Sequence, residues 1–421
     1  MNTSTTFRNK IKKFLQTLGP GLITGASDDD PSGIATYSQA GAGFGYTTLW
    51  TALLTFPLMA AIQEMCARIG MVTKEGLTGA LKKYYPRSII YLMIAFSFPA
   101  ITLNIGADVQ GMGAVANMLF PILPTFAWSI IFTGLLIFFI IKFPYRQLAM
   151  VLKWLCLSLL LYIITPLLIH ADWAMVLKNT FIPTIHFNKD FFMILVAILG
   201  TTISPYLFFW QATMEAEGIA HSPRRVVVNK NLLYNMKMDV NFGMFFSNLV
   251  MFFIILTTGT VLYKAGIHQI DTVSQAALAL KPIAGDLTYT LFTIGVIGTG
   301  LLAIPVLAGS LSYIMAETFN WKQGLDKKFH EAKGFYITII VALILGLSLD
   351  FLGISPIQAL VYTAVLYGLT APVLIAIILH LCNNKKIMGK YTNNLRSNIL
   401  GFLTLILMTV SAIALIWFQF K

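Results

Sequence analysis

An all-α integral membrane protein with 11 transmembrane helices is the fold class that this sequence predicts, and three observations predict it. Of 421 residues, 57% are hydrophobic and only 11% charged, far below the roughly 25% charged residues of soluble proteins. Apolar runs of about 20 residues, the length that crosses a bilayer core, recur along the whole chain and leave no room for a separate soluble domain. Lysine and arginine alternate between crowded and nearly empty connections, as the positive-inside rule demands.

The spans fall at about 17–43, 46–69, 90–118, 126–143, 146–169, 191–217, 238–263, 286–317, 334–352, 355–381 and 398–419. Arg8, Lys10, Lys12 and Lys13 precede the first apolar run as they would in a signal peptide. No small-residue cleavage site closes that run, so it is expected to remain as a span. With a cytoplasmic N-terminus, the inside holds these four, then Arg68, Lys74, Lys82, Lys83 and Arg87, then Lys142, Arg146 and Lys153. Further inside clusters are Arg224, Arg225, Lys230 and Lys237; Lys322, Lys327, Lys328 and Lys333; and Lys385, Lys386, Lys390 and Arg396. Only Lys178, Lys189, Lys264, Lys281 and Lys421 are left outside, an alternation that a missed or extra span would destroy.

Topology therefore accounts for the net charge of +12. The basic stretch Ser222-Pro223-Arg224-Arg225 reads as a cytoplasmic loop near anionic lipid, and nucleic acid is not an expected partner. Cys66, Cys156 and Cys382 are dispersed without metal-ligand or disulfide-framework spacing and read as apolar packing residues. Gly295-Val296-Ile297-Gly298-Thr299-Gly300 lies within a span, where such glycines mean close helix packing.

The first and sixth spans differ from the rest. Each carries polar residues and a helix breaker in its middle: Asp28-Asp29-Asp30-Pro31-Ser32-Gly33 and Gly200-Thr201-Thr202-Ile203-Ser204-Pro205-Tyr206. Five helices separate their starts, so the sixth enters from the side opposite to the first. Paired breaks in inverted halves mark a transporter site at the bilayer midplane. The chain is thus one transporter domain, with a first repeat at about 17–169, a second at about 191–381 and an extra helix at about 398–419.

Each intramembrane carboxylate costs at least roughly 2.5–3.5 kcal/mol on insertion scales, and a bound cation is the natural compensation for three in a row. Proline opens the helix and frees carbonyls that can also ligate a metal, while Gly33 tolerates the altered backbone. Neighbours on an intact helix differ by roughly 100°, so the three aspartates cannot all face one ion without unwinding. Asp30, next to the break, is the leading ligand. Asp28 and Asp29 either help hold the ion, line a watery vestibule or cap the second half-helix.

These residues resemble the natural resistance-associated macrophage protein (NRAMP) divalent-metal transporters. Gly19-Pro20-Gly21 precedes the first break, Gln39-Ala40-Gly41-Ala42 with Gly45-Tyr46 follows it, and Ala67-Arg68-Ile69-Gly70 ends span two, all in that family's order. The resemblance implies a LeuT-like inverted repeat of five plus five helices and a divalent cation, of the manganese or iron type, as transported substrate. Its Asp-Pro-Gly-Asn motif is matched by Asp30-Pro31-Ser32-Gly33, so the ligating aspartate is kept and glycine replaces the asparagine. Its Ala-Thr-Val-Met-Pro-His motif is matched by Thr201-Thr202-Ile203-Ser204-Pro205-Tyr206, with Ser204 in place of the thioether. By the same resemblance the carbonyls of Ser27 and Thr201 face the ion, and Thr370 takes the place of a closing glutamine. Hard oxygen ligands suit hard ions, and shorter side chains leave room for part of a water shell, which Mg²⁺ sheds reluctantly. Relaxed or Mg²⁺-like selectivity is the expectation.

Tyr206 and Gln211 stand where the family has two sixth-helix histidines, and Ile105 where it has a third-helix aspartate, leaving Asp108 from that acidic pair. His170, His186, His221, His268, His330 and His380 fall in loops or at span ends, so no histidine relay remains. Asp108 either carries a proton or packs hydrogen-bonded among small residues, and Glu215 is close enough to the sixth-helix break to join an inner gate. Glu64, Glu217, Asp239 and Glu317 are expected to pair with basic residues at the interface. The competing reading is a carrier of a small organic substrate such as an amino acid, whose carboxylate Asp28, Asp29 and Asp30 would repel. An enzyme is not indicated, since there is no nucleophile–base pair and no cofactor motif. The expected setting is a monomer, surrounded by lipid, in a cell membrane of the bacterial inner type.

Overall fold

The computed structural model describes residues 19–144, 147, 160–168, 171–220 and 227–420. Arg8, Lys10, Lys12, Lys13, Arg146, Lys153, Cys156, His170, His221, Ser222, Pro223, Arg224, Arg225 and Lys421 lie outside the described residues, with most of the expected fifth span. Among the described residues there is no strand, and nine helices are long and apolar enough to cross a membrane.

In chain order the helices are α1 (Pro20–Asp28), α2 (Pro31–Phe44), α3 (Trp50–Thr73), α4 (Leu77–Tyr84), α5 (Arg87–Leu119), α6 (Thr125–Lys142), α7 (Leu160–Leu168) and α8 (Trp173–Phe181). Then follow α9 (Lys189–Thr202), α10 (Pro205–Ala220), α11 (Lys230–Thr258), α12 (Val273–Ala277), α13 (Lys281–Ala284), α14 (Thr288–Phe319) and α15 (Lys333–Gly346). The last are α16 (Pro356–Asn383), α17 (Lys385–Met388) and α18 (Leu395–Gln419). The first span is thus the broken pair α1–α2 and the sixth the broken pair α9–α10. The seventh begins at Lys230 rather than near 238, because the Asn229 side chain caps it by accepting from the Leu232 amide at 2.9 Å. Its polar opening turns carry no hydropathy signal. The short helices α4, α8, α12, α13 and α17 escape hydropathy for the same reason.

The broken pairs form the centre. α1 lies along α11, α2 along α11, α9 and α16, α10 along α3, and α5 along α14 and α16. Glycines permit the closest of these approaches: a Cβ on Gly25 would collide with the Gly243 backbone, one on Gly243 with Gly21, and one on Gly200 with Ala364 and Gly368. Gly200 therefore belongs to an intact helix and serves packing, whereas the break that the sequence places from 200 onward begins after Thr202. A Cβ on Gly300 would meet the Met112 sulfur, so this glycine does mark close packing, of α14 on α5.

Connections expected on one side of the membrane meet in the structure. Lys82 Nζ donates to the Thr318 carbonyl at 2.6 Å, Arg68 Nη1 to the Tyr391 carbonyl at 2.9 Å, and the Tyr391 hydroxyl to the Val228 carbonyl at 2.6 Å. At the other end Gln39 Nε2 donates to the His268 carbonyl at 3.2 Å, and Phe44 stacks on His186. α18 lies against α16, α9 and α3 and turns Phe402, Ile406, Ile413 and Trp417 outward.

Backbone-to-backbone packing of α1 on α11 makes Gly25 intolerant. Gly25→Ala is expected to cost about 1–3 kcal/mol by overpacking and to lower the thermal midpoint of the purified protein. Gly134→Ala, where the new methyl meets nothing within 4 Å, should leave it unchanged or slightly raised. Equal midpoints for the two variants would contradict the packing described.

Candidate functional site

The two breaks face each other inside the bundle. At the first, α1 ends on Asp28, Asp29 leaves helical geometry at φ −85° and ψ 51°, and Asp30 is extended at φ −70° and ψ 171°. Pro31 is the cause: it disfavours helical geometry at the residue before it and is itself well suited to the first helical position. At the second break Ile203 turns out of α9 at φ −112° and ψ 56°, and Pro205 starts α10.

The three aspartates point in different directions. Asp30 is the N-cap of α2, accepting from the Gly33 amide at 2.7 Å, and its other oxygen accepts from Asn104 Nδ2 at 3.1 Å. The same Asn104 amide donates to Asp108 at 3.2 Å, and Asp108 accepts the Ser32 amide at 3.2 Å. Asp30 and Asp108 are thus held as a pair over the positive end of α2. Asp28 faces the opposite wall, accepting from Ser247 Oγ at 2.7 Å and from Ser204 Oγ at 3.5 Å, while Ser247 also lies 3.4 Å from Asp29.

This arrangement corrects one alternative: Asp30, not Asp28 or Asp29, caps the second half-helix. Asp28 closes α1, where the helix dipole is negative. Asp28, Asp29 and Asp30 are 0%, 4% and 2% exposed, and among the described residues none of them has an ion pair. Among those residues, too, no three acids, histidines or cysteines converge as a ready-made metal cluster.

The remaining expected residues take these places. The Ser27 carbonyl accepts the Tyr206 hydroxyl at 2.8 Å, and the Thr201 carbonyl accepts Ser204 Oγ at 2.5 Å. Both carbonyls therefore belong to the last turns of α1 and α9, beside the breaks, and accept protein hydroxyls. Thr370 bonds back to the Leu366 carbonyl of its own helix at 3.0 Å. Gln211 accepts from Thr24 Oγ1 at 2.5 Å and donates to Glu215 at 3.1 Å, a polar latch between α1 and α10. The extra room expected beside Gly33 is filled: a Cβ there would lie 3.3 Å from Thr201 Oγ1, 3.3 Å from the Asp28 carbonyl and 3.4 Å from the Tyr37 ring.

Two partners of the aspartates, Asn104 and Ser247, are not among the residues the sequence singles out. Asn104 carries a signal, four residues before Asp108 on one helix face; Ser247, a lone serine in an apolar span, carries none. Asp239 was expected at the interface with a basic partner. Instead it accepts from the Gly19 and Gly21 amides at 2.8 and 2.7 Å, clamping the start of α1. Glu317 likewise accepts from the Gly79 amide at 2.7 Å, whereas Glu64 does pair with a basic residue, Arg68, at 3.1 Å.

Comparison with known proteins adds family and fold. A family model described as natural resistance-associated macrophage protein-like matches residues 21–418. The chain is 25% identical over 401 residues to a divalent metal cation transporter MntH of Caldanaerobacter subterraneus, covering 94% of this chain and 91% of that one. It is also 25% identical to the MntH of Staphylococcus saprophyticus, over 99% of this chain and 94% of that one. The manganese transporter of Eremococcus coleocola has a similar fold, with a TM-score of 0.74 at 19% identity over 95% of this chain and 86% of that one. The nucleobase-cation-symport-1 family transporter Mhp1 has a TM-score of 0.57 at 12% identity over 96% of this chain and 92% of that one.

Crowding at Gly33 is open to test. Gly33→Asn is expected to cost about 1–3 kcal/mol through overpacking, read as thermal unfolding of the purified protein. Adding Thr201→Ala should return part of that loss, because the two positions touch. Strict additivity of the two changes would show that the space beside Gly33 is not occupied as described.

Proposed function

Since the chain belongs to the natural resistance-associated macrophage protein-like family, we propose that it is a secondary transporter carrying divalent metal cations across a membrane by alternating access. The observation that carries this reading is the set of buried carboxylates, Asp28, Asp29 and Asp30, gathered at a helix break with no cationic side chain paired to them among the described residues. A divalent ion supplies the missing charge. It belongs to the transport cycle as cargo, and no step of the proposal is enzymatic.

In this proposal the ion sits in the break with Asp30 as principal ligand and Asp28 and Asp29 as helpers. Ser204 and the carbonyls of Ser27 and Thr201 become ligands when the Tyr206 and Ser204 hydroxyls turn away, and Thr370 closes over the site. Gly33 contributes no side-chain ligand. The donors are all oxygen, which favours hard ions and supports relaxed or Mg²⁺-like selectivity. Gly33 gives no added room, so the selectivity argument rests on ligand hardness alone.

The architecture proposed is the LeuT-like one: eleven spans, inverted five-helix repeats centred on α1–α2 and α9–α10, a peripheral α18, and a cytoplasmic N-terminus. It acts as a monomer in a bacterial inner membrane. Opening toward the lysine-rich side requires parting Thr24 from Gln211, the bond that joins the two broken helices, while Glu215 holds Gln211 in place from within α10. Asp108, held through Asn104 to Asp30, is the only acid proposed for a proton beside the ion. Transport needs none, since two charges entering gain about 4.6 kcal/mol per 100 mV. Uniport is the proposed mode.

Flux into proteoliposomes with Mn²⁺, Mg²⁺ and Ca²⁺, with and without a pH gradient, tests this. Mn²⁺ and Mg²⁺ should both enter under an inside-negative potential without coupled acidification, and Asp30→Ala should slow entry at least about tenfold, the kinetic equivalent of 1.4 kcal/mol. Unaltered flux in that variant would overturn the site. Strict choice of Mn²⁺ over Mg²⁺ would overturn the hard-ion reading, and acidification in fixed ratio to metal would overturn uniport.

A further inference from the structure

Away from the breaks, on the lysine-rich face, lies a cavity of about 650 Å³, within the 300–1,000 Å³ range of small-molecule sites. Its walls come from the α3–α4 connection, α4 itself, the end of α10, the end of α14 and the connection after α14. Five lysines line it, Lys74, Lys82, Lys83, Lys322 and Lys327, against three glutamates, Glu75, Glu217 and Glu317.

The acids are already engaged. Glu75 pairs with Lys83 at 3.3 Å, Glu317 accepts the Gly79 amide at 2.7 Å, and Glu217 bonds the Tyr313 hydroxyl. Lys82 is spent as well, donating to the Glu317 and Thr318 carbonyls at 3.1 and 2.6 Å where α14 ends. Lys74, Lys322 and Lys327 form no ion pair among the described residues. The positive-inside rule explains which side these lysines occupy; it does not explain why those of two distant connections converge on one concavity whose acids are otherwise committed.

We propose that this cavity binds a phosphate-bearing anion, held by Lys74 on one wall and by Lys322 and Lys327 on the other. Phosphate oxygens accept charge-assisted hydrogen bonds from ammonium groups. The bound anion ties the α3–α4 connection to the α14–α15 connection. It stands over the end of α10, the half-helix that bears Gln211 and Glu215. None of the residues placed at the helix breaks lines this cavity, so the proposal does not depend on which cation is carried.

The test uses the full chain, without divalent metal, in nanodiscs of pure phosphatidylcholine with inorganic pyrophosphate as probe. Its thermal midpoint should rise saturably with pyrophosphate and not with sodium chloride at matched ionic strength. In the triple variant Lys74→Gln, Lys322→Gln, Lys327→Gln the half-saturating concentration should increase at least about tenfold, with metal flux retained. If that variant does not fold, Lys322→Gln alone should weaken the response several-fold. Repeating the titration in phosphatidylglycerol nanodiscs separates the sources: loss of the pyrophosphate response there assigns the site to a lipid headgroup, and persistence assigns it to a free phosphate compound. No saturable rise in wild type, an equal rise with sodium chloride, or a wild-type response in the lysine variants would overturn the proposal.

Discussion

Burial of charge at the first helix break is the constraint on which the rest of this structure depends. Three adjacent carboxylates are almost wholly removed from water, and each of their negative charges would be costly there without compensation. The fold answers for Asp30 and Asp108 with the positive end of α2 and the Asn104 amide. For Asp28 and Asp29, among the described residues, it offers only the hydroxyls of Ser204 and Ser247, at the negative end of α1. The first pair is nearly satisfied by protein. The second is not, and under the proposed function a cation bound at Asp30, with Asp28 and Asp29 as helpers, relieves that imbalance.

A second constraint is closeness. The half-helices must be held firmly enough to fix the site and loosely enough to part, and glycine supplies the first condition. Gly21, Gly25 and Gly243 let α1 meet α11 backbone to backbone, while Gly200 and Gly368 do the same for α9 and α16. Under the proposed function the contacts that must part are polar, the Asp239 clamp on the start of α1 and the Thr24–Gln211 bond. Such contacts are directional and exchange readily with water, unlike interlocked apolar side chains.

Much of the membrane architecture was legible in the sequence because hydropathy is a local property: each apolar run and each Asp-Pro or Ser-Pro interruption announces itself within a few residues. Asp30 at the break was legible for the same reason, as Pro31 dictates its conformation. Partners from distant helices were not. Ser247 meets Asp28 across 219 positions and Asp239 reaches Gly19 across 220, distances that no periodicity encodes. The space beside Gly33 was also misjudged, since a missing side chain predicts a void only if nothing moves in, and Thr201 and Tyr37 occupy it. Short helices such as α4 were missed because they do not cross the bilayer, yet α4 supplies part of the wall of the lysine-lined cavity.

Electron paramagnetic resonance of Mn²⁺ titrated into the purified protein most directly tests whether these carboxylates hold a divalent ion. The account predicts one immobilised ion per chain, bound entirely through oxygen. It also predicts that the bound spectrum disappears when Asp28 and Asp30 are both changed to asparagine in a chain that still folds. An immobilised ion of unchanged affinity in that double variant would contradict it, because the charge that the break buries would then not be what binds the metal.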